Sequence, residues 1–161
     1  LQLVSIVAGL QAQGIPAHGL LVGELPAANS SLARELRTAV VAAGLTDSIT
    51  LTGFREDVRE IMSVSDVVLS LSLHPESFGR IVNEALALGV PVAGYAHGGV
   101  GEQLARHFTA GQVPPGDAVA MADLLNAWSL TPPCMQDVQV YKLQAMLDST
   151  LSLYRDLVSQ R

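Results

Sequence analysis

The sequence predicts an α/β fold: a Rossmann-like parallel sheet with helices on both faces. Helical and strand-like apolar patterns alternate along the chain. The strand-length runs, of which Asp66-Val67-Val68-Leu69-Ser70-Leu71 is the clearest, are nearly continuous in apolar residues, as strands buried on both faces are. The 161 residues amount to about one domain, enough for a real core.

In chain order, Leu3, Val7 and Leu10 recur at helical spacing up to Gly14, and Gly19 to Gly23 is a short apolar strand. Ser30 or Ser31 can cap a helix reaching Ala43, with Leu32, Leu36 and Val40 on its inner face and Gly44 closing it. Ile49 to Gly53 alternates as a strand, Phe54 to Met62 is a brief helix, and the Asp66–Leu71 run is the next strand. A helix opened at Ser77-Phe78-Gly79 is closed by Gly89, and the apolar run after it leads into a glycine-rich loop. A short helix near Gly101 to His107, an edge strand at Ala110 to Val113 and a turn at Pro114 to Asp117 follow. Asp117 is a good N-cap for a helix to about Trp128, and Pro132-Pro133 precede a last helix from about Met135 to Ser159. In such sheets ligands sit beyond the carboxyl ends of the strands, so the loops at Gly53-Phe54-Arg55, Leu73 to Pro75 and Ala96 to Gly99 are expected to share one rim.

Composition narrows the function. Apolar residues make up 49% and aromatic residues 4% of the chain, so the core is expected to be rich in Leu, Val and Ala. A mean hydropathy of +0.36 points to one face that something normally covers. A net charge of −6 without any basic run speaks against nucleic acid and against an anionic membrane surface as partners. No eighteen-residue apolar stretch occurs, so no transmembrane segment is expected. The apolar opening, Leu1 to Leu10, has neither a basic start nor an initiating methionine and reads as a helix cut open at its front, in a fragment truncated at its N-terminus. Cys134, a single cysteine, excludes an internal disulfide and fits a reducing compartment. His18, His74, His97, His107 and Cys134 lack metal-ligand spacing, so no metal site is expected.

The chemistry concentrates between Pro75 and Glu102. The first amides of a helix have no internal acceptor and the aligned peptide dipoles add positive potential there, so Phe78, Gly79 and Arg80 form a candidate anion site. Gly79 would let the backbone approach a ligand. Arg80 in a first turn opposes the dipole unless an anion is near; a solvated surface arginine is the plain alternative. Glu84 lies at the edge of an apolar face formed by Ile81, Val82, Ala85 and Leu86. Two carboxylates, Glu76 and Glu84, on either side of an anion-binding helix start suit a ligand with sugar hydroxyls flanking a diphosphate.

Glu76-Ser77-Phe78-Gly79 with Glu84-Ala85-Leu86-Ala87-Leu88-Gly89-Val90-Pro91-Val92 resembles the Glu-x7-Glu signature of retaining GT-B glycosyltransferases, the group 1 or GT4-like family. Gly98-Gly99-Val100-Gly101-Glu102 resembles the Gly-Gly-x-x-Glu that follows it there, and Gly53 to Val58 resembles the loop that meets the nucleotide base, Arg55 included. The resemblance implies the C-terminal, donor-binding half of a two-domain enzyme, with the acceptor domain absent. It implies that Glu76 contacts the donor sugar, that the amides of Phe78 through Ile81 hold the distal phosphate and that Glu84 holds the ribose. The site set is therefore Glu76 as catalytic residue, with Glu76, Ser77, Phe78, Gly79, Arg80, Ile81, Glu84, Arg55, Gly98 and Gly99 at the donor. The substrate is a nucleotide-diphosphate sugar carrying UDP or GDP, no cofactor is expected, and the location is cytoplasmic, with any membrane association coming through the absent half. An arginine and a lysine that stabilise the leaving diphosphate in the family precede the point where this chain starts, so the chain alone is expected to bind weakly and transfer nothing. Ser72-Leu73-His74-Pro75 departs from the family's Pro-Ser, and Arg80 stands where an apolar residue is common.

Three other functions fit parts of the pattern. Glu76 and Glu84 could be a glycosidase acid/base pair, but such a pair needs no anion-binding helix start between its members. A nucleotide-sugar epimerase half shares the fold, and release of free sugar with nucleotide would mark it. A non-catalytic nucleotide-binding module is the third. The Gly99-Val100-Gly101 segment is no dinucleotide fingerprint, because Leu104 stands where the third glycine belongs.

Overall fold

The alternating patterns fold in the expected alternation. The computed structural model describes residues 1–24, 30–135 and 143–159. Within them the order is α1 (Gln2–Ala12), β1 (Gly19–Val22), α2 (Ser31–Ala42), β2 (Ile49–Gly53), α3 (Val58–Ser63), β3 (Val68–Ser70) and α4 (Arg80–Ala87). Then come β4 (Val92–Tyr95), α5 (Gly98–His107), a 3-10 turn at Thr109–Gly111, β5 (Gln112–Val113), α6 (Ala118–Leu130) and α7 (Leu143–Ser159).

Local chemistry fixes several of the ends. Ser30 caps α2 by accepting from the Ala33 amide at 3.2 Å, and Asp117 caps α6 by accepting from Ala120 at 2.9 Å. Gly89 closes α4 in the left-handed conformation at φ 74°, which a side chain would resist. Several features differ from the sequence reading. α3 begins at Val58 rather than Phe54, with Asp57 in the N-cap position and its carboxylate taken up by Arg55 instead of a helix amide. α2 turns Ala33, Leu36 and Val40 inward and leaves Leu32 exposed. α5 begins at Gly98, so the expected glycine-rich loop is a first helical turn. The start expected for the last helix, Met135, is not helical; residues 136–142 lie outside the described set, and α7 is described from Leu143.

Every strand pair is parallel, but the sheet is not continuous. β1 pairs with β2, and separately β3–β4–β5 form a three-stranded sheet. Helices cover both faces of the latter. On one side Val68 and Val92 meet Val82, Leu86, Val100 and Leu104 of α4 and α5. On the other, Ala93, Tyr95 and Val113 meet Ile6 and Leu10 of α1 and Met121 and Leu125 of α6. A third cluster joins Val4 and Val7 of α1 to Leu36, Val40 and Ile49. α1 thus bridges the two sheets. Burial removes these side chains from water at roughly 25 cal/mol per Å² of apolar area, the main favourable term in holding the layers together.

Candidate functional site

β3 and β4 are parallel neighbours, so the loops leaving their carboxyl ends emerge on one edge. The first loop carries Pro75, Glu76, Ser77 and Phe78, all exposed, and ends in the buried Gly79, which is left-handed at φ 72° and serves as N-cap of α4. The helix starts at Arg80, later than expected, and the Val82 amide donates to the Gly79 carbonyl at 3.1 Å. The amides of Arg80 and Ile81 therefore belong to the turn whose donors have no carbonyl four residues back. The dipole of an eight-residue helix adds positive potential there.

The first turn of α5 clamps this loop. The Gly99 amide donates to the Glu76 carbonyl at 2.6 Å. A Cβ on Gly99 would lie 2.5 Å from the backbone of Phe78, and one on Gly98 2.7 Å from the Glu76 carbonyl. A Cβ on Gly79 would meet the Val100 backbone at 2.9 Å. The space freed by these glycines is thus filled by facing backbone. Gly79 makes room for α5, not for an incoming molecule on its Cβ side, and Gly99 spends its amide inside the protein. The His97 imidazole adds a second tie, its Nε2–H donating to the Ser72 carbonyl at 2.9 Å.

The charged residues are held more loosely. Arg80 donates to Glu84 one turn on, Nη2 to Oε1 at 3.3 Å, with side chains 82% and 50% exposed, an i,i+4 pair worth at most a few tenths of a kcal/mol. That pair answers the dipole clash at Arg80 from within the helix, and both groups remain open to a ligand. Arg55, on the β2–α3 loop, is turned to its neighbour: Nε donates to Asp57 Oδ1 at 2.7 Å and Nη2 to Oδ2. This fork holds the Asp57 carboxyl below the usual carboxylate range and the guanidinium above its own. Phe54 beside it is 69% exposed, and Phe78 is 48% exposed. The structure brings Glu76, Ser77, Phe78, Gly79, Arg80, Ile81, Glu84, Gly98 and Gly99 into one loop–helix unit; Arg55 stands on the carboxyl end of the other sheet.

One contact behind the rim escaped the sequence reading. Tyr95, buried at the end of β4, donates its hydroxyl to Gln2 Oε1 at 2.6 Å and so ties the strand to the start of α1. Burial, with the Asp117 carboxylate adding to it, pushes this phenol above its ordinary pKa. Gln2 and Tyr95 are far apart in sequence, and nothing local marks the pair. Among the described residues no three His, Cys, Asp or Glu side chains gather as a metal site, and no helix is long and apolar enough to cross a membrane.

The sequence profile of the family described as "Glycosyl transferases group 1" matches residues 2–142. The 2-deoxystreptamine N-acetyl-D-glucosaminyltransferase of Streptomyces fradiae is 40% identical over 88 residues, which are 53% of this chain and 21% of that protein. The 2-deoxystreptamine glucosyltransferase of Streptomyces kanamyceticus is 33% identical over 121 residues, 74% of this chain and 30% of that protein. Among solved structures, Anabaena HepE in complex with UDP-glucose superimposes with a TM-score of 0.68 at 30% identity, covering 77% of this chain and 34% of HepE. The chain thus spans about a third or less of the length of these proteins.

Proposed function

The chain belongs to the group 1 glycosyl transferases, and from that premise we propose that it is the donor-binding part of a retaining glycosyltransferase that takes a nucleotide-diphosphate sugar. The observation that carries the proposal is the clamped loop–helix unit at the carboxyl edge of β3 and β4, where two first-turn amides lie between Glu76 and Glu84. The amides of Arg80 and Ile81 hold the distal phosphate, with Gly79 and Phe78 leading into the turn. As the sugar leaves, negative charge grows on that phosphate, and a fixed cluster of amides stabilises it without rearranging. Arg80 exchanges Glu84 for the diphosphate, which frees Glu84 to accept from ribose hydroxyls. Glu76 accepts from hydroxyls of the transferred sugar. Gly98 and Gly99 act by holding the Glu76 loop in place.

HepE was solved with UDP-glucose, which favours a uridine diphosphate donor here. The acceptor is bound by the remainder of the protein, and the 161-residue chain alone binds nucleotide without transferring sugar. Calorimetric titration with UDP, GDP and ADP and their sugar conjugates tests this. One nucleotide binds, and Glu84→Ala weakens it about 10- to 100-fold, the worth of a charge-assisted hydrogen bond. If a longer protein containing this chain binds none of the three at millimolar concentration, the proposal is wrong.

A further inference from the structure

α4 and α5 each return from one strand of the parallel set β3–β4–β5 to the start of the next, so they run side by side in the same direction. They meet closely at their starts, where a Cβ on Gly79 would reach the Val100 backbone at 2.9 Å and one on Gly99 the Phe78 backbone at 2.5 Å. Those contacts mark the flank that each helix turns to the other. Residues four apart share a flank. One turn on from Gly79 along α4 is Asn83, and one turn on from Gly99 along α5 is Gln103. The two amide side chains therefore face one another across the seam, one turn below the clamp.

Gln103 is polar yet only 4% exposed. Its Oε1 is wholly covered and accepts no hydrogen bond from the described residues, and the same holds for Asn83 Oδ1. The helices' other contacts are apolar, through Val82, Leu86, Val100 and Leu104. A covered amide oxygen without a donor bears its full desolvation cost, and two such oxygens turned to each other also repel. We propose that the α4–α5 seam holds one buried water, which donates to Asn83 Oδ1 and to Gln103 Oε1. Water has two O–H donors for these two acceptors, and two polar partners are what a buried water needs at least. A metal ion is the poorer occupant, because both oxygens are neutral and no three His, Cys, Asp or Glu side chains gather among the described residues. The water joins the second turns of α4 and α5 just under the glycine clamp. It adds directional bonds to a contact that is otherwise apolar and non-directional.

This site does not depend on the donor reading, and NMR on the 161-residue chain tests it. Nuclear Overhauser cross-peaks from water are expected at carbon-bound protons, the Gln103 Hγ and the Asn83 Hβ, with the sign of water held inside a protein. Gln11, exposed on α1, serves as the control and gives the sign of surface water. Urea unfolding supplies the second readout. Gln103→Met and Asn83→Leu each leave one oxygen stranded and are expected to lower the folding equilibrium constant about 10-fold. The double variant keeps neither oxygen and is expected to lower it by much less than the product of the two. Absence of the interior water peaks at both residues overturns the proposal, as does strict additivity of the two substitutions. A coupling across a direct hydrogen bond between the two side-chain amides also overturns it, since one amide would then be turned to serve the other.

Discussion

The two sheets of this molecule are supported differently. β3–β4–β5 is packed on both faces, by α4 and α5 on one side and α1 and α6 on the other. β1–β2 is packed on the side of α1 and α2, and Leu20 of β1 is 44% exposed. The candidate site's loop–helix unit stands on the doubly packed sheet, where Gly79, Gly98 and Gly99 let the loop backbone and α5 meet closely. A site that must hold amides still for a growing charge needs that support. The singly packed sheet carries Phe54 and Arg55, which are exposed and have room to adjust.

Substitutions at glycine separate the two regions most strongly. Gly99→Ala places a methyl 2.5 Å from the Phe78 backbone and is expected to lower stability by about 3 kcal/mol or more, and to abolish nucleotide binding. Gly44→Ala in the other region meets nothing within 4 Å but must hold φ 68°, an expected loss of about 1–2 kcal/mol with binding intact. Urea unfolding and calorimetry on the same two variants check both. If Gly99→Ala is the milder, the clamp is not what stabilises the rim.

Core truncation gives the next effect. Leu104 is wholly buried between α5 and the sheet, whereas Val41 on α2 is 67% exposed. Leu104→Ala should cost about 2–5 kcal/mol and Val41→Ala about 0.5 kcal/mol or less by urea midpoint. Tyr95→Phe removes the hydroxyl from Gln2 and should cost about 1 kcal/mol, read as a lower thermal midpoint. The smallest effect concerns Asp57. Its carboxyl titrates below the usual range when folded, so its stabilising bond to Arg55 is complete above the ordinary carboxylate pKa and is lost as pH falls through the lowered one. An NMR titration of the Asp57 carboxyl should show that depression, and Arg55→Ala should remove it.

Much of this was legible in the sequence. Apolar period and glycine punctuation gave the alternation, and the caps at Ser30 and Asp117 form as their residue types require. Other features depend on partners distant in the chain. Gly98 and Gly99 read as loop because glycine disfavours helix interiors, yet they begin α5 where only glycine fits beneath the Phe78 backbone. Leu32 and Ala33 both suit a helical face, and only packing on the third cluster turns Ala33 inward. The break between β1 and β3 has no local signature, since each strand carries its own apolar run. Of the site, the Glu76–Glu84 spacing was plain, but the pairing of Arg80 with Glu84 and the use of the Gly99 amide by Glu76 emerged only from the fold.

The central claim is that a diphosphate sits on the first turn of α4, and amide-resolved NMR during titration with UDP tests it most directly. The largest shifts are expected at Gly79, Arg80 and Ile81, with Glu84 following and Leu104 nearly still. Shifts centred elsewhere, for instance on the shallow apolar depression of Arg37, Thr38, Val41 and Ala42 on α2, with Arg80 and Ile81 unmoved, would contradict it.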